Sequence, residues 1–383
     1  MQHTADSSRK KHSSFRADFL SDFTASWVVF LVALPLSLGI AMASGMPARA
    51  GLIAAVFGGI IVGLLGGAPF QVSGPAAGLT VIVYSIVQRF GPEALGVIVL
   101  AGGCIQILLG LFKSARFTLA VSPSVIHGML AGIGILIALG QLHVLMGGKP
   151  GASAAENIRL IPEHLMAANV AAVVVGIFTL VTLLAWNRWV RPRIPQIPGA
   201  LPGVLAGTLL AQVFKLDVPF LALSSDLFSA PTFPTLGMLS WGELFSQAIV
   251  LALVASAESL ICAVATDRLH SGKRANLDRE LMAQGAGNFM SGLFGGLPVT
   301  GVIVRSSANI SAGAKSRLSA ILHAVWMVLF LLLLSGLLKS IPLAALAALL
   351  VHTGVSLVKL KEASRMHQYG EGWVYLATLV GVV

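Results

Sequence analysis

Glu258 stands in the apolar run Ile249-Val250-Leu251-Ala252-Leu253-Val254-Ala255-Ser256-Ala257-Glu258-Ser259-Leu260-Ile261-Cys262. An acid at the centre of such a helix costs roughly 2.5–3.5 kcal/mol to insert into a bilayer. A carboxyl kept there must face a cavity, pair with a base or carry a proton. Its chemistry is coupling to a proton or cation; its plainer use is a structural ion pair. Arg305 lies two turns after Pro298 and is the one base placed inside an apolar segment. A buried guanidinium beside a helix N-terminus makes an anion site, because free N–H groups and the positive dipole end attract negative charge. Its plainer use is to snorkel to the surface near Lys315. Glu258 and Arg305 are natural partners on this reading. The nine histidines are scattered without ligand spacing, and Cys104 and Cys262 sit in apolar runs as reduced core residues. With no phosphate loop, nucleophile elbow or paired-carboxylate motif, no enzymatic activity, cofactor or metal is expected.

The elements that position these residues are membrane helices. Of 383 residues, 56% are apolar and 10% charged, with a mean hydropathy of +0.88. An average soluble domain is about 25% charged, so this chain cannot easily cover a soluble surface. Its hydrophobicity excludes disorder, and two cysteines exclude a disulfide scaffold. The net charge of +10 points to topology rather than to nucleic acid, which does not explain the apolar bulk. Apolar segments fall at 24–43, 49–66, 74–88, 94–112, 120–142, 169–188, 199–214, 244–266, 279–294, 298–311, 317–338, 341–358 and 372–383. If these spans alternate, 18 of the 25 Lys and Arg fall on the face of the N-terminal tail and 6 on the other, Arg305 lying inside a span. The positive-inside rule makes the tail cytoplasmic. The expected organisation is a cytoplasmic tail at 1–20, a first repeat of seven spans at 21–214, an extracytoplasmic loop at 215–243 and an incomplete second repeat, spans 8–13, at 244–383.

The third and tenth spans are short and are reached through extended stretches, Ala68-Pro69-Phe70-Gln71-Val72-Ser73-Gly74-Pro75 and Gly295-Gly296-Leu297-Pro298-Val299-Thr300-Gly301. Pro75 lies 51 residues after Thr24, where the first span begins, and Pro298 lies 54 after Leu244, where the eighth begins. Paired short, Gly/Pro-interrupted segments in two halves mark a transporter binding site. An offset of seven spans reverses the second copy, which makes the repeats inverted. The run Gly58, Gly59, Gly63, Gly66, Gly67 reads instead as close helix packing.

With these features the chain resembles the SulP (sulfate permease) family of inorganic anion transporters. The matching stretches are Phe70-Gln71-Val72-Ser73-Gly74-Pro75-Ala76-Ala77-Gly78-Leu79-Thr80, Asn276-Leu277-Asp278-Arg279-Glu280-Leu281-Met282-Ala283-Gln284-Gly285-Ala286-Gly287-Asn288, and Gly295 to Gly301 running on to Arg305-Ser306-Ser307-Ala308-Asn309. The resemblance implies an all-α, polytopic 7+7 inverted-repeat fold with core and gate domains and elevator-like motion. It places the anion between half-helices in spans 3 and 10, lined by Ala76, Ala77 and Gly78 on one side and by Thr300, Gly301 and Val302 on the other. Ile40 of the first span is a further candidate, with Arg305 supplying charge. Glu258 falls at the family's acidic position in the eighth span. Sodium-coupled bicarbonate members have Asp there and Thr one turn on; this chain has Glu258 and Cys262. A thiol is a poor sodium ligand, which favours protons. Gly372–Val383 would form about 18 Å of helix, short of the roughly 30 Å of hydrocarbon. The sequence is therefore expected to stop inside a thirteenth span, without the fourteenth span and the STAS domain typical of the family; some bacterial relatives carry a fused carbonic-anhydrase domain instead.

The function expected is a secondary active, proton-coupled symporter of a small inorganic oxyanion, sulfate or bicarbonate, in a bacterial inner (plasma) membrane. The alternatives are a nucleobase-type proton symporter and an uncoupled anion channel. The expected partners are the anion, protons and the lipid bilayer, with a homodimer allowed and no nucleic acid.

Overall fold

The computed structural model describes residues 2–115, 123–151, 154–194, 197, 199–221, 240–368 and 370–383. Arg116, counted above as a topological charge, and residues 222–239 of the 215–243 loop lie outside the described residues. The described chain is almost wholly helical. In order it runs α1 (Gln2–Ala43), α2 (Ala48–Leu65), β1 (Ser73–Pro75), α3 (Ala77–Phe90), α4 (Pro92–Leu111), α5 (Pro123–Leu145), α6 (Ala154–Met166) and α7 (Val170–Val190). It continues with α8 (Ala200–Val213), α9 (Trp241–Asp267), α10 (Leu277–Leu293), β2 (Val299–Gly301), α11 (Ile303–Ser311), α12 (Leu318–Leu338), α13 (Leu343–Leu357), α14 (Leu360–Gln368) and α15 (Gly372–Val382). Among the described residues, six helices are long and apolar enough to cross a membrane: α2, α4, α7, α9, Asp18–Ala43 of α1 and His127–Leu145 of α5.

Eleven of the thirteen apolar segments fall on helices, with moved ends and with residues 120–122 outside the described residues; the third and tenth begin at the β1–β2 pairing before their helices start. α9 begins at Trp241 rather than 244, because Ser240 and Glu243 form a capping box that satisfies its first N–H groups. The 1–20 tail is not a separate element from residue 2 onward. It is helical and continuous with the first span, since no Gly or Pro interrupts it. Two helices were not expected, α6 and α14; at 13 and 9 residues both are too short to cross.

Two packed groups result. In one, α10 and α9 pack on α4, and α1 packs on α2, α11 and α12. In the other, α13 packs on α5, α7 and α8, and α15 packs on α5. The glycine run does pack, as expected. A Cβ on Gly59 would strike Ala324 and His323 of α12, and one on Gly63 would come within 2.8 Å of Ile321.

At the centre of the first group the chain is not helical. β1 and β2 pair antiparallel, with Ser73 opposite Gly301, Gly74 opposite Thr300 and Pro75 opposite Val299. Backbone at membrane depth must be satisfied within the protein, and this ribbon meets that demand for segments more than 220 residues apart. α3 and α11 start immediately beyond it.

Candidate anion-binding site

The inner ends of α3 and α11 differ from the capped helices at the periphery. Asn169, Ser240 and Asn276 cap α7, α9 and α10 with side-chain oxygens. Ala76 and Val302, the residues before α3 and α11, are extended and offer no side-chain cap. The N–H groups of a first helical turn have no intrahelical partner. Here no side chain caps them, and the ribbon brings the two positive dipole ends together.

These ends open on a cavity of about 380 Å³ between the two packed groups. Ile40, Ala76, Ala77, Gly78, Glu258, Gly301, Val302 and Arg305 all line it. Thr300 is the exception among the expected residues. It is fully buried behind the wall, where its hydroxyl reaches the Glu258 carboxyl. α7 and α13 close the far side with Asn187, Arg191, His352 and Thr353.

Arg305 does not snorkel. It is 0% exposed, and its Nη2 donates to Ser37 Oγ at 3.0 Å and to the Pro75 carbonyl at 3.4 Å. Its Nε and Nη1 are buried with no hydrogen-bond partner. Gly74 makes room for the guanidinium, since a Cβ there would collide with Nη1. Glu258 is placed in the same way: a Cβ on Gly78 would lie 2.6 Å from its Oε1, and its Oε2 is buried without a partner. The two charges form no ion pair, contrary to the expectation that they are partners. Arg305 is held against β1 and Glu258 against the start of α3, so each keeps capacity to bind something else.

Three further corrections concern donors and charges. The Gly301 N–H donates to Ser259 Oγ at 3.2 Å and the Val302 N–H to the Val72 carbonyl at 2.9 Å. The donors that α11 can offer are therefore those of Ile303 and Val304, which also line the cavity. They precede the first helical bond, Ser306 N–H to Val302 O at 2.9 Å. Ser37 was missed because a lone serine in an apolar span gives no signal. Two acids are more deeply buried than Glu258, which is only half-buried on the cavity wall. Asp22 is 2% exposed, and its carboxylate accepts from the Lys315 and Ser316 N–H groups at 2.7 and 3.0 Å. Glu280, 1% exposed, sits in a matching motif, but Gly67, Ala68 and Gln71, which bond to it, are distant in sequence. Cys262 Sγ lies 3.7 Å from Ser306 Oγ and 3.8 Å from Thr266 Oγ1.

A membrane fold in which two half-helix ends face one charged cavity is the arrangement expected of a transporter's binding site. The model of the sulfate permease family matches residues 19–378, and the chain belongs to that family. It is 32% identical over 91% of its length to YvdB of Bacillus subtilis (strain 168), which is assigned by name to sulfate transport. It is 28% identical over 93% of its length to the bicarbonate transporter BicA of Picosynechococcus sp. (strain ATCC 27264 / PCC 7002 / PR-6). The fold matches the solved transmembrane domain of a cyanobacterium bicarbonate transporter BicA with a TM-score of 0.87 and 25% identity, covering 96% of this chain and 95% of that one. SLC26A9 matches in fold at a TM-score of 0.81, with 18% identity over 95% of this chain and 61% of that one. The chain spans just under two thirds of the curated relatives, 66% of YvdB and 64% of BicA.

Proposed function

We propose that the protein is a secondary active transporter of a small inorganic oxyanion, sulfate or bicarbonate, coupled to protons. The observation that carries this reading is Arg305: a fully buried guanidinium with two unpartnered nitrogens and no carboxylate against it, on the wall of the cavity that both half-helix ends share. A buried charge without a counter-charge is expensive, and a bound anion supplies one. The amides of Ala77, Gly78, Ile303 and Val304 would share its charge. Glu258, on the same wall, would take up a proton with each anion and so lower the net charge moved. Cys262, a poor sodium ligand one turn away, supports protons over sodium.

The division into two packed groups with the cavity between them supports an elevator motion of the α3/α11 group against the α5/α13 group. The antiparallel ribbon supports two inverted repeats. The excess of basic residues supports a cytoplasmic N-terminus in a bacterial inner membrane. Uptake of radiolabelled sulfate and bicarbonate into proteoliposomes, with pH and sodium gradients imposed separately, tests the reading. Glu258→Gln should abolish the response to the pH gradient; undiminished uptake would remove Glu258 from coupling. Uracil displacing the anion would favour the nucleobase reading.

A further inference from the structure

Three buried side chains of α10 take no part in the cavity and still end on both extended segments that lead to it. Glu280, Gln284 and Asn288 are 1%, 0% and 0% exposed and recur every four residues, so they form one stripe. Glu280 Oε2 accepts from the Gly67 and Ala68 N–H groups at 2.8 and 2.9 Å, and its Oε1 accepts from Gln71 Nε2 at 2.9 Å and Gln284 Nε2 at 2.8 Å. Gln284 Nε2 also donates to Ser73 Oγ of β1 at 2.7 Å. Asn288 Oδ1 accepts from the Val299 N–H of β2 at 2.6 Å, and its Nδ2 donates to the Val299 carbonyl at 2.8 Å. Its carboxamide thus stands where a neighbouring strand would, on a ribbon with only two strands. Nδ2 also reaches Gln106 Oε1 of α4 at 2.7 Å, and Gln106 Nε2 reaches Ser256 Oγ of α9 at 3.1 Å.

We infer that Glu280, Gln284 and Asn288 are positioning residues of the anion site. One helix holds the segment leading into β1 through Glu280, β1 itself through Gln284, and β2 through Asn288. It thereby sets the distance and angle between the two half-helix ends without touching the anion. This rests on the anion reading above. A hydrogen-bond frame of this kind preorganises a site whose ligands are backbone amides, which no side-chain rotamer can re-aim.

The test combines anion kinetics with hydrogen exchange on the full chain. Asn288→Ala and Glu280→Gln should each raise the half-saturation concentration for sulfate or bicarbonate by about tenfold or more, the effect of roughly 1.4 kcal/mol, with the maximal rate within about threefold. The pH dependence set by Glu258 should be unmoved. The exchange Glu280→Gln with Gln284→Glu keeps one carboxylate and one carboxamide in the stripe and should recover most of the lost affinity. Independently of any ligand, Asn288→Ala should speed amide exchange in the 297–304 peptide and leave the α7 and α13 peptides unchanged. Unchanged half-saturation in folded variants, or a fall in maximal rate alone, overturns the positioning role. If the parent protein takes up neither anion, the anion reading fails, and the exchange experiment still decides whether α10 holds the ribbon.

Discussion

At the residue scale the half-helix side of the cavity is defined by Glu258, Arg305 and the two glycines that admit them. Arg305→Ala removes charge-assisted hydrogen bonds, each worth about 1.5–3 kcal/mol. The expected result is a loss of anion affinity of about tenfold to a hundredfold, read as half-saturation for uptake. Gly78→Ala puts a methyl against Glu258 Oε1, where 2.6 Å is available. It should depress proton-driven uptake while anion counterflow, which needs no net proton movement, is affected less. A Gly78→Ala protein with unaltered proton-driven uptake would show that the carboxyl need not hold this place. Glu258 and Arg305 were legible because a charge in an apolar run is conspicuous. Ser37 and the use of the Gly301 and Val302 amides were not, since both depend on which atoms lie opposite.

At the scale of elements, the caps separate stability from binding. Ser240 caps α9 at the membrane surface through the Glu243 N–H at 3.3 Å, far from the cavity wall. Ser240→Ala should cost about 0.5–2 kcal/mol, measured as a lower midpoint of thermal unfolding in detergent, with anion half-saturation unchanged. The exposed Arg89–Glu243 pair at 3.2 Å should contribute less, within about 1 kcal/mol. Helix positions followed from hydropathy because a bilayer core demands long apolar runs. Their ends did not, because capping boxes and the short helices α6 and α14 depend on local polar chemistry that hydropathy averages away.

At the scale of the whole molecule, the cavity lies where two packed groups meet, and transport by sliding requires that contact to yield. Gly39 of α1 lies against Leu350 of α13, with only 3.1 Å between a Cβ built on Gly39 and the leucine side chain. A Gly39→Cys/Leu350→Cys protein should lose uptake on oxidation and regain it with a reductant, the cross-link being verified by mass spectrometry. Uptake that continues through the cross-linked state would exclude relative motion of α1 and α13. The sequence by itself determined the membrane class, the apolar segments, the two interrupted spans and the pair of intramembrane charges. Each of these is a local excess or deficit of hydrophobicity, and the bilayer as solvent converts it directly into structure. Only the tertiary structure decided that Glu258 and Arg305 stand apart, that the Gly301 and Val302 amides are already bonded, and that one stripe of α10 bonds to both extended segments that lead to the half-helices. Those outcomes depend on which atoms lie opposite across separate elements, as in Arg305 with Ser37 and Glu280 with Gly67, where register and distance are set by packing and by the need to satisfy every buried polar group.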